Sequence, residues 1–193
     1  MSLVNYRLFN PPFELEFDKM RPSEARAYFQ WFKDQIPIRI GELQRVFKSS
    51  HPSVDLDYSI ESLKKLGEWF DSQVSVRPLS TSELAEQRAN APTWLHPYLP
   101  TSTYTVETIS LCFDIGMYFA EVLRSRNPNL YWDYVRSPKR SADLHQPVLK
   151  PFRNGHLNPF RIMVVIAGKV HQGKSASVEL LEALRVWEGF VLH

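Results

Sequence analysis

Cysteine, glycine, long apolar runs and the usual catalytic spacings are all scarce in this chain of 193 residues. A single cysteine, Cys112, allows no intrachain disulfide and fits a reducing compartment. Glycine numbers 7 against 14 prolines, which disfavours Gly-rich turns, collagen-like chains and most repeat arrays. The longest uncharged stretch, Ala89 to Val106, contains Pro92, Pro97 and Pro100. It therefore lacks the roughly 20 consecutive, mostly apolar residues of a spanning helix. The N-terminal MSLVNYRLFNPPFELEF has no basic segment followed by an apolar core, so no signal peptide is read there. These absences predict a cytoplasmic protein with no membrane segment.

Chemistry-bearing patterns are missing too. The histidines His51, His96, His145, His156, His171 and His193 show no H-x-x-x-H spacing, and one cysteine builds no zinc framework. No Glu-x-x-His pair exists for a di-iron bundle. There is no G-x-S-x-G, and Cys112 lies on an apolar helical face with no flanking base. It reads as a small core residue rather than a thiolate. No catalytic residue, metal ligand or cofactor is predicted.

What is present is a core. Apolar residues make up 44% and aromatics 13%, which excludes a disordered chain. A chain of this size buries about 70% of its surface on folding. One domain spanning 1–193 is expected, with 1–20 as an extended arm or edge strand, because FELEF alternates but Pro11 and Pro12 oppose a central strand.

The net charge of +2 is unevenly placed. Arg124 to Lys174 holds ten basic residues against Asp133 and Asp143, and the remainder is acidic. Such asymmetry can mark an anionic partner. Two parts facing each other within one fold give the same pattern, and that reading is preferred.

Apolar periodicity predicts mostly helix. Ser23, after Pro22, is expected to cap a first helix carrying Tyr28, Phe29, Phe32 and Ile36. Pro37 should kink or restart it before Ile40, Leu43 and Phe47. Asp57 or Ser59 caps a second helix with Leu63, Leu66 and Phe70 on one stripe. Ser80 and Glu83 form a capping box for a short helix to about Ala89. APTWLHPYLP reads as a loop anchored by its aromatics. Residues 105–126 are apolar on most sides, as a buried central helix is. LYWDYV and PVLKPF then make a small β-hairpin near 130–152. Asn158–Pro159 opens a helix through Val170, with a strand through IMVVIAG as the competing reading, and a last helix runs from about Ser175 to Gly189. The prediction is a mainly α (α+β) fold, about six helices around the central one.

Three segments, YFQWFKDQIPIRIGEL (28–43), DYSIESLKKLGEWF (57–70) and DIGMYFAEVLRSRNPNLYWDY (114–134), resemble a family of uncharacterised bacterial proteins. NPFRIMVV and Trp187 are similar to the same pattern. The resemblance implies a bacterial origin and a helical architecture, and no mechanism. Proteins of this kind are often adaptors or toxin-immunity partners.

Gly168-Lys-Val-His-Gln-Gly173-Lys174-Ser175 matches the G-x-x-x-x-G-K-[ST] phosphate loop. Only 18 residues follow Ser175, leaving no later strand to hold Mg²⁺. The expected preceding element is also a helix. The match is read as accidental and no nucleotide is expected.

On the central helix Glu107, Asp114, Tyr118 and Glu121 share one stripe, since seven residues are nearly two turns. Carboxylates on a buried helix need partners, and Arg39, Arg124, Arg126 and Arg136 are available. Asp114, Tyr118, Glu121, Arg39 and Trp132 are therefore the candidate ligand or partner site. They form either an aromatic-walled pocket for a cationic or hydroxylated ligand or, as expected here, an internal ion-pair network. Together these observations predict a non-enzymatic, protein-binding module. An enzyme or small-molecule binder using the acidic stripe is the alternative. Anion or nucleic-acid binding through 124–174, where basic residues alternate with aromatics, is the third.

Overall fold

The computed structural model describes residues 5–192; the first four residues of the expected arm lie outside them. Its elements are α1 (Pro22–Lys48), α2 (Ile60–Asp71), β1 (Val76–Pro78), α3 (Thr81–Ala89), a 3₁₀ helix (Thr93–Tyr98), β2 (Ser102–Tyr104), α4 (Val106–Arg126), β3 (Tyr131–Tyr134), β4 (Pro147–Phe152), β5 (Gly155–Leu157), α5 (Pro159–His171) and α6 (Ala176–Glu188). The α+β class stands, with seven helices among the described residues when the 3₁₀ helix is included. The single hairpin is corrected to two small antiparallel sheets among the described residues.

The first sheet pairs β1 with β2, Val76 facing Tyr104 and Pro78 facing Ser102. Strands of three residues show no period, and the partner lies a whole helix away, so neither was legible. The second sheet has the order β3-β4-β5. Tyr131 faces Lys150 and Tyr134 faces Pro147, while β5 joins β4 across a bulge between Leu149 and Phe152. The FELEF segment (13–17) is irregular, running from a bend into a turn where the Lys19 amide donates to the Glu16 carbonyl at 2.9 Å, and it pairs with no strand.

Caps and punctuation explain the helix limits. Ser59 accepts from the Ser62 amide, Thr105 from Thr108 and Asn158 from Arg161. Two expectations for α1 are corrected. Its N-cap is Arg21, not Ser23, with Pro22 at the first helical position and the Glu24 carboxylate accepting from the Arg21 amide at 2.9 Å. Of the kink or restart expected at Pro37, the restart is corrected: the helix runs 27 residues without interruption. Pro37 lies on the exposed face, so the carbonyl it leaves unbonded can turn to water. Ile36, Arg39, Ile40 and Leu43 hold both halves on one core.

α4 is the axis. Residues from Thr108 to Leu123 are buried on most of its circumference, including Leu111, Cys112, Ile115, Met117, Phe119 and Val122. It packs on α1, α2, α5 and α6, and α2 packs on α6. Small residues set two of these crossings. A Cβ on Gly116 would meet the Pro159 carbonyl at 3.1 Å, and one on Gly67 would meet Ser177 Cα at 2.5 Å. Residues 159–171 are helix, as preferred over strand.

Asp71, at the end of α2, caps α6: its carboxylate accepts from the Ala176 amide at 2.6 Å and the Ser175 hydroxyl at 3.0 Å. The N-terminal arm packs Phe9, Phe13 and Phe17 against this body, Phe9 stacking on Phe113 at 4.3 Å and Phe13 meeting Tyr28 edge-on at 5.6 Å.

Candidate functional site

Asp114 is completely buried on α4. Arg39 of α1 donates to it twice, Nε to Oδ1 at 2.8 Å and Nη2 to Oδ2 at 2.7 Å. Tyr6 of the arm adds a third donor at 2.6 Å. The Tyr6 hydroxyl also meets Ser110 Oγ at 2.8 Å, and Arg39 Nη1 donates to the Leu8 carbonyl. Burial pushes the Asp114 carboxyl up to about 6, against the pull of Arg39 and Tyr6. Burial and the neighbouring Asp114 charge push the Tyr6 phenol well above its ordinary range. The network clamps the arm to α1 and α4.

A second clamp sits one turn along α1. Glu42 is buried and accepts from the Arg7 amide at 2.8 Å, from Arg45 Nη2 at 2.6 Å and from the Arg7 guanidinium. The Arg45 hydrogen bond leads in holding its carboxyl down at about 2. In an unfolded chain the group titrates near 4.5. Its contribution to stability is thus full above about 4.5 and lost as pH falls toward about 2. Acid unfolding followed by circular dichroism is expected to show Glu42→Gln less stable than the parent at pH 6, with the gap closing between pH 4.5 and 2. A gap unchanged across that window would show that the pair contributes no linkage.

Tyr118 is also fully buried. Its hydroxyl meets Ser62 Oγ at 2.6 Å and accepts from the Tyr58 amide at 2.9 Å. Burial pushes its pKa up to about 12. The Tyr58 ring lies over it at 5.4 Å, with Tyr58 held at φ 65°. Glu121 alone of the three reaches a shallow surface cleft, together with Tyr58, Trp132 and Lys33. Both of its oxygens are occupied, by Arg124 at 2.8 and 2.9 Å and by Trp132 Nε1 at 2.7 Å. Glu107 is exposed at the start of the helix.

The stripe therefore divides. Asp114 goes to α1 and the arm, Tyr118 to α2 and Glu121 to β3. The side-chain oxygens of Asp114, Tyr118 and Glu121 all have intrachain partners. Cys112 is buried, and burial pushes its thiol up to about 12, so it carries no nucleophile. No group of three or more His, Cys, Asp or Glu side chains suited to a metal ion occurs among the described residues.

The basic segment is largely paired. Of its ten cations, six meet carboxylates: Arg124 with Glu121, Arg126 with Glu188, Arg136 and Lys150 with Asp133, Arg161 with Asp143, and Lys169 with Glu179. In the phosphate-loop match, Gly168 lies inside α5 and Gly173, at φ 84°, makes the turn. Ser175 begins α6, where Asp71 already caps the first turn. Lys174→Ala is expected to change stability by less than about 0.5 kcal/mol, as exposed substitutions usually do. A fluorescent ATP analogue with Mg²⁺ should show no saturable binding. Micromolar affinity abolished by that substitution would overturn the assignment.

The surface that the sequence reading missed is the excursion between α2 and α4. No residue from Val74 to Glu107 is buried, and α3 has only a half-buried face of Glu83, Leu84 and Gln87. A nine-residue helix is too short to persist alone. It is held locally by the Ser80–Glu83 capping box, by Arg77 paired to Glu83 at 2.6 Å, and by the Leu79 amide donating to the Thr101 carbonyl. His96 Nε2 sits 3.0 Å from the Arg88 carbonyl and 3.1 Å from that of Ala91, tying the 3₁₀ helix to the end of α3. At the tip Trp94 is 73% exposed and Tyr98 79% exposed. The aromatics thus do not anchor this loop to the body, contrary to the sequence expectation. The available signal was the uncharged stretch Ala89–Val106, which joins Trp and Tyr to three prolines with no helical or strand period.

The chain has no helix among the described residues long and apolar enough to cross a membrane. Compared with known proteins, it matches no family model, no curated protein and no solved structure.

Proposed function

We propose that this chain is a non-enzymatic module that binds a protein partner, of the adaptor or toxin-immunity type, and that it does so through the flap between α2 and α4. It would act in a bacterium, as the family it resembles implies, and in the cytoplasm. The observation that carries the reading is the flap tip. Two large aromatic side chains, Trp94 and Tyr98, stand mostly in solvent on a segment with no buried residue, only Val74 and Tyr104 at its two ends packing against the core. Trp and Tyr are the residue types that dominate binding energy at protein interfaces, and a fold gains nothing by displaying them. The internal engagement of Asp114, Tyr118 and Glu121 supports the same reading, since it leaves no free polar constellation for chemistry.

The tip is uncharged from Ala89 to Val106, so the partner surface is apolar and the contact insensitive to salt. The test places a photo-crosslinking phenylalanine analogue at 94, at 98, or at the exposed control Val178 of α6, in the full chain inside cells. The expected result is one discrete protein adduct from 94 and 98, none from 178, and a complex that survives high salt. Absence of an adduct, equal labelling at 178, or binding to neutral lipid vesicles in place of a protein would overturn the proposal.

A further inference from the structure

The surface cleft that Glu121 reaches is built from α1, α4, β3 and the loop before α2. Lys33, Ile36, Pro37 and Ile40, three and four residues apart, turn one stripe of α1 toward it. Trp132 and Tyr58 add aromatic walls. Both rings are held in place. Trp132 Nε1 donates to Glu121 at 2.7 Å, and its ring meets Phe32 edge-on at 5.2 Å. Tyr58 has φ 65°, a conformation that bulky side chains rarely adopt. Its amide donates to the Tyr118 hydroxyl and its ring lies over that of Tyr118, yet the residue stays 38% exposed. Backbone strain of this kind persists only where the surroundings over-determine it, and it gathers at ligand sites.

The charge left over in the cleft is positive. Three charged side chains line it: Lys33, Glu121 and Arg124. Glu121 and Arg124 pair with each other at 2.8 Å and so cancel. Lys33 pairs with no carboxylate among the described residues. Its ammonium lies 5.2 Å from the Phe29 ring centroid, and the adjacent Asp34 accepts from Gln30 instead. A ring face attracts a cation without neutralising it. One cation is thus uncompensated beside aromatic and aliphatic walls. The acidic stripe alone suggested a cationic ligand; the consumption of Glu121 by Arg124 reverses that sign.

Size and lining then define the occupant. The cleft offers about 410 Å³, within the roughly 300–1,000 Å³ of small-molecule sites. Its uncharged lining consists of two aromatic rings, a proline ring and two isoleucines, which suits a flat apolar body. One uncompensated cation suits a head with a single negative charge. We infer that this cleft is a binding site for a small aromatic carboxylate, with the ligand ring among Tyr58, Trp132 and Pro37 and its carboxylate on the Lys33 ammonium. With Glu121 consumed, the site binds without chemistry, and it is separate from the flap.

Titration of the isotope-labelled full chain with indole-3-propionate, followed by NMR, tests this. The expected result is a saturable shift of the Trp132 indole N–H, with a Kd of about 1 mM or tighter for a ligand of this size. The exposed Trp94 indole should not move. The neutral amide of the same acid should bind about tenfold more weakly, since it lacks the charge-assisted contact. Lys33→Met should lose the same factor for the acid, because it keeps an apolar stem and removes the charge. Lys33 is exposed, so this variant should melt with the parent, and the comparison of acid with amide stands without it. Equal affinity for acid and amide, affinity unchanged in Lys33→Met, or no saturable shift at Trp132 would overturn the inference. So would tighter binding of a short peptide ending in tryptophan, which would assign the cleft to a chain terminus.

Discussion

Gly67→Ala is expected to destabilise the protein by about 3 kcal/mol or more, at the upper end of the overpacking range. The added methyl would lie 2.5 Å from Ser177 Cα and 2.7 Å from its amide nitrogen. Both are backbone atoms of α6, so no rotamer change relieves the clash and the two helices must part. Alanine's helix propensity works in the opposite direction by only about 1 kcal/mol. Parting α2 from α6 would also disturb the Asp71 cap on Ala176. Gly41 provides the control. It sits inside α1 on the exposed side, and a Cβ there would meet nothing within 4 Å. Gly41→Ala should therefore gain up to about 1 kcal/mol. For a chain of this length the two changes are worth roughly −6 to −12 °C and +2 to +4 °C in Tm. Thermal melts of the two variants decide the matter. A Gly67→Ala protein as stable as the parent would show that α2 and α6 do not approach as described.

The second large effect belongs to Arg39. Arg39→Met leaves the fully buried Asp114 carboxylate with only the Tyr6 donor, and removing one member of a buried pair costs about 3–5 kcal/mol. Part of that loss should appear at the arm, because Arg39 also holds the Leu8 carbonyl and lies 5.5 Å from the Tyr6 ring. Limited proteolysis between residues 5 and 20 should accelerate in the variant. The double variant Arg39→Met with Asp114→Leu is expected to recover most of the stability, since it removes both charges rather than orphaning one. Denaturant melts of the four proteins form a double-mutant cycle. Additive losses would mean that the pair is not coupled and that Asp114 is served by some other group.

The sequence by itself determined the helices and the identity of the axis. Thr105, Ser59, Ser80 and Asn158 each carry the side-chain oxygen that their helix start requires, and such caps act over three residues of chain. The apolar circumference of 106–126 likewise allowed one location only, the interior. Local chemistry and burial period are written along the chain, so they can be read along it.

What only the tertiary structure decided is which face of each element meets which neighbour. Asp114, Tyr118 and Glu121 share a stripe, yet their partners are Arg39 and Tyr6, Ser62 and Tyr58, and Arg124 and Trp132. Most of these lie dozens of residues away, and no periodicity selects among several available arginines. Pro37 stays within one helix because its face turned outward, a fact set by packing rather than by proline. The sheet β1–β2 and the exposure of Trp94 follow from the same limit. Strand pairing is a long-range contact, and an aromatic in a loop reads identically whether it faces the core or the solvent. The arrangement of neighbours alone makes that choice, because burial is a property of the assembled fold and not of the residue.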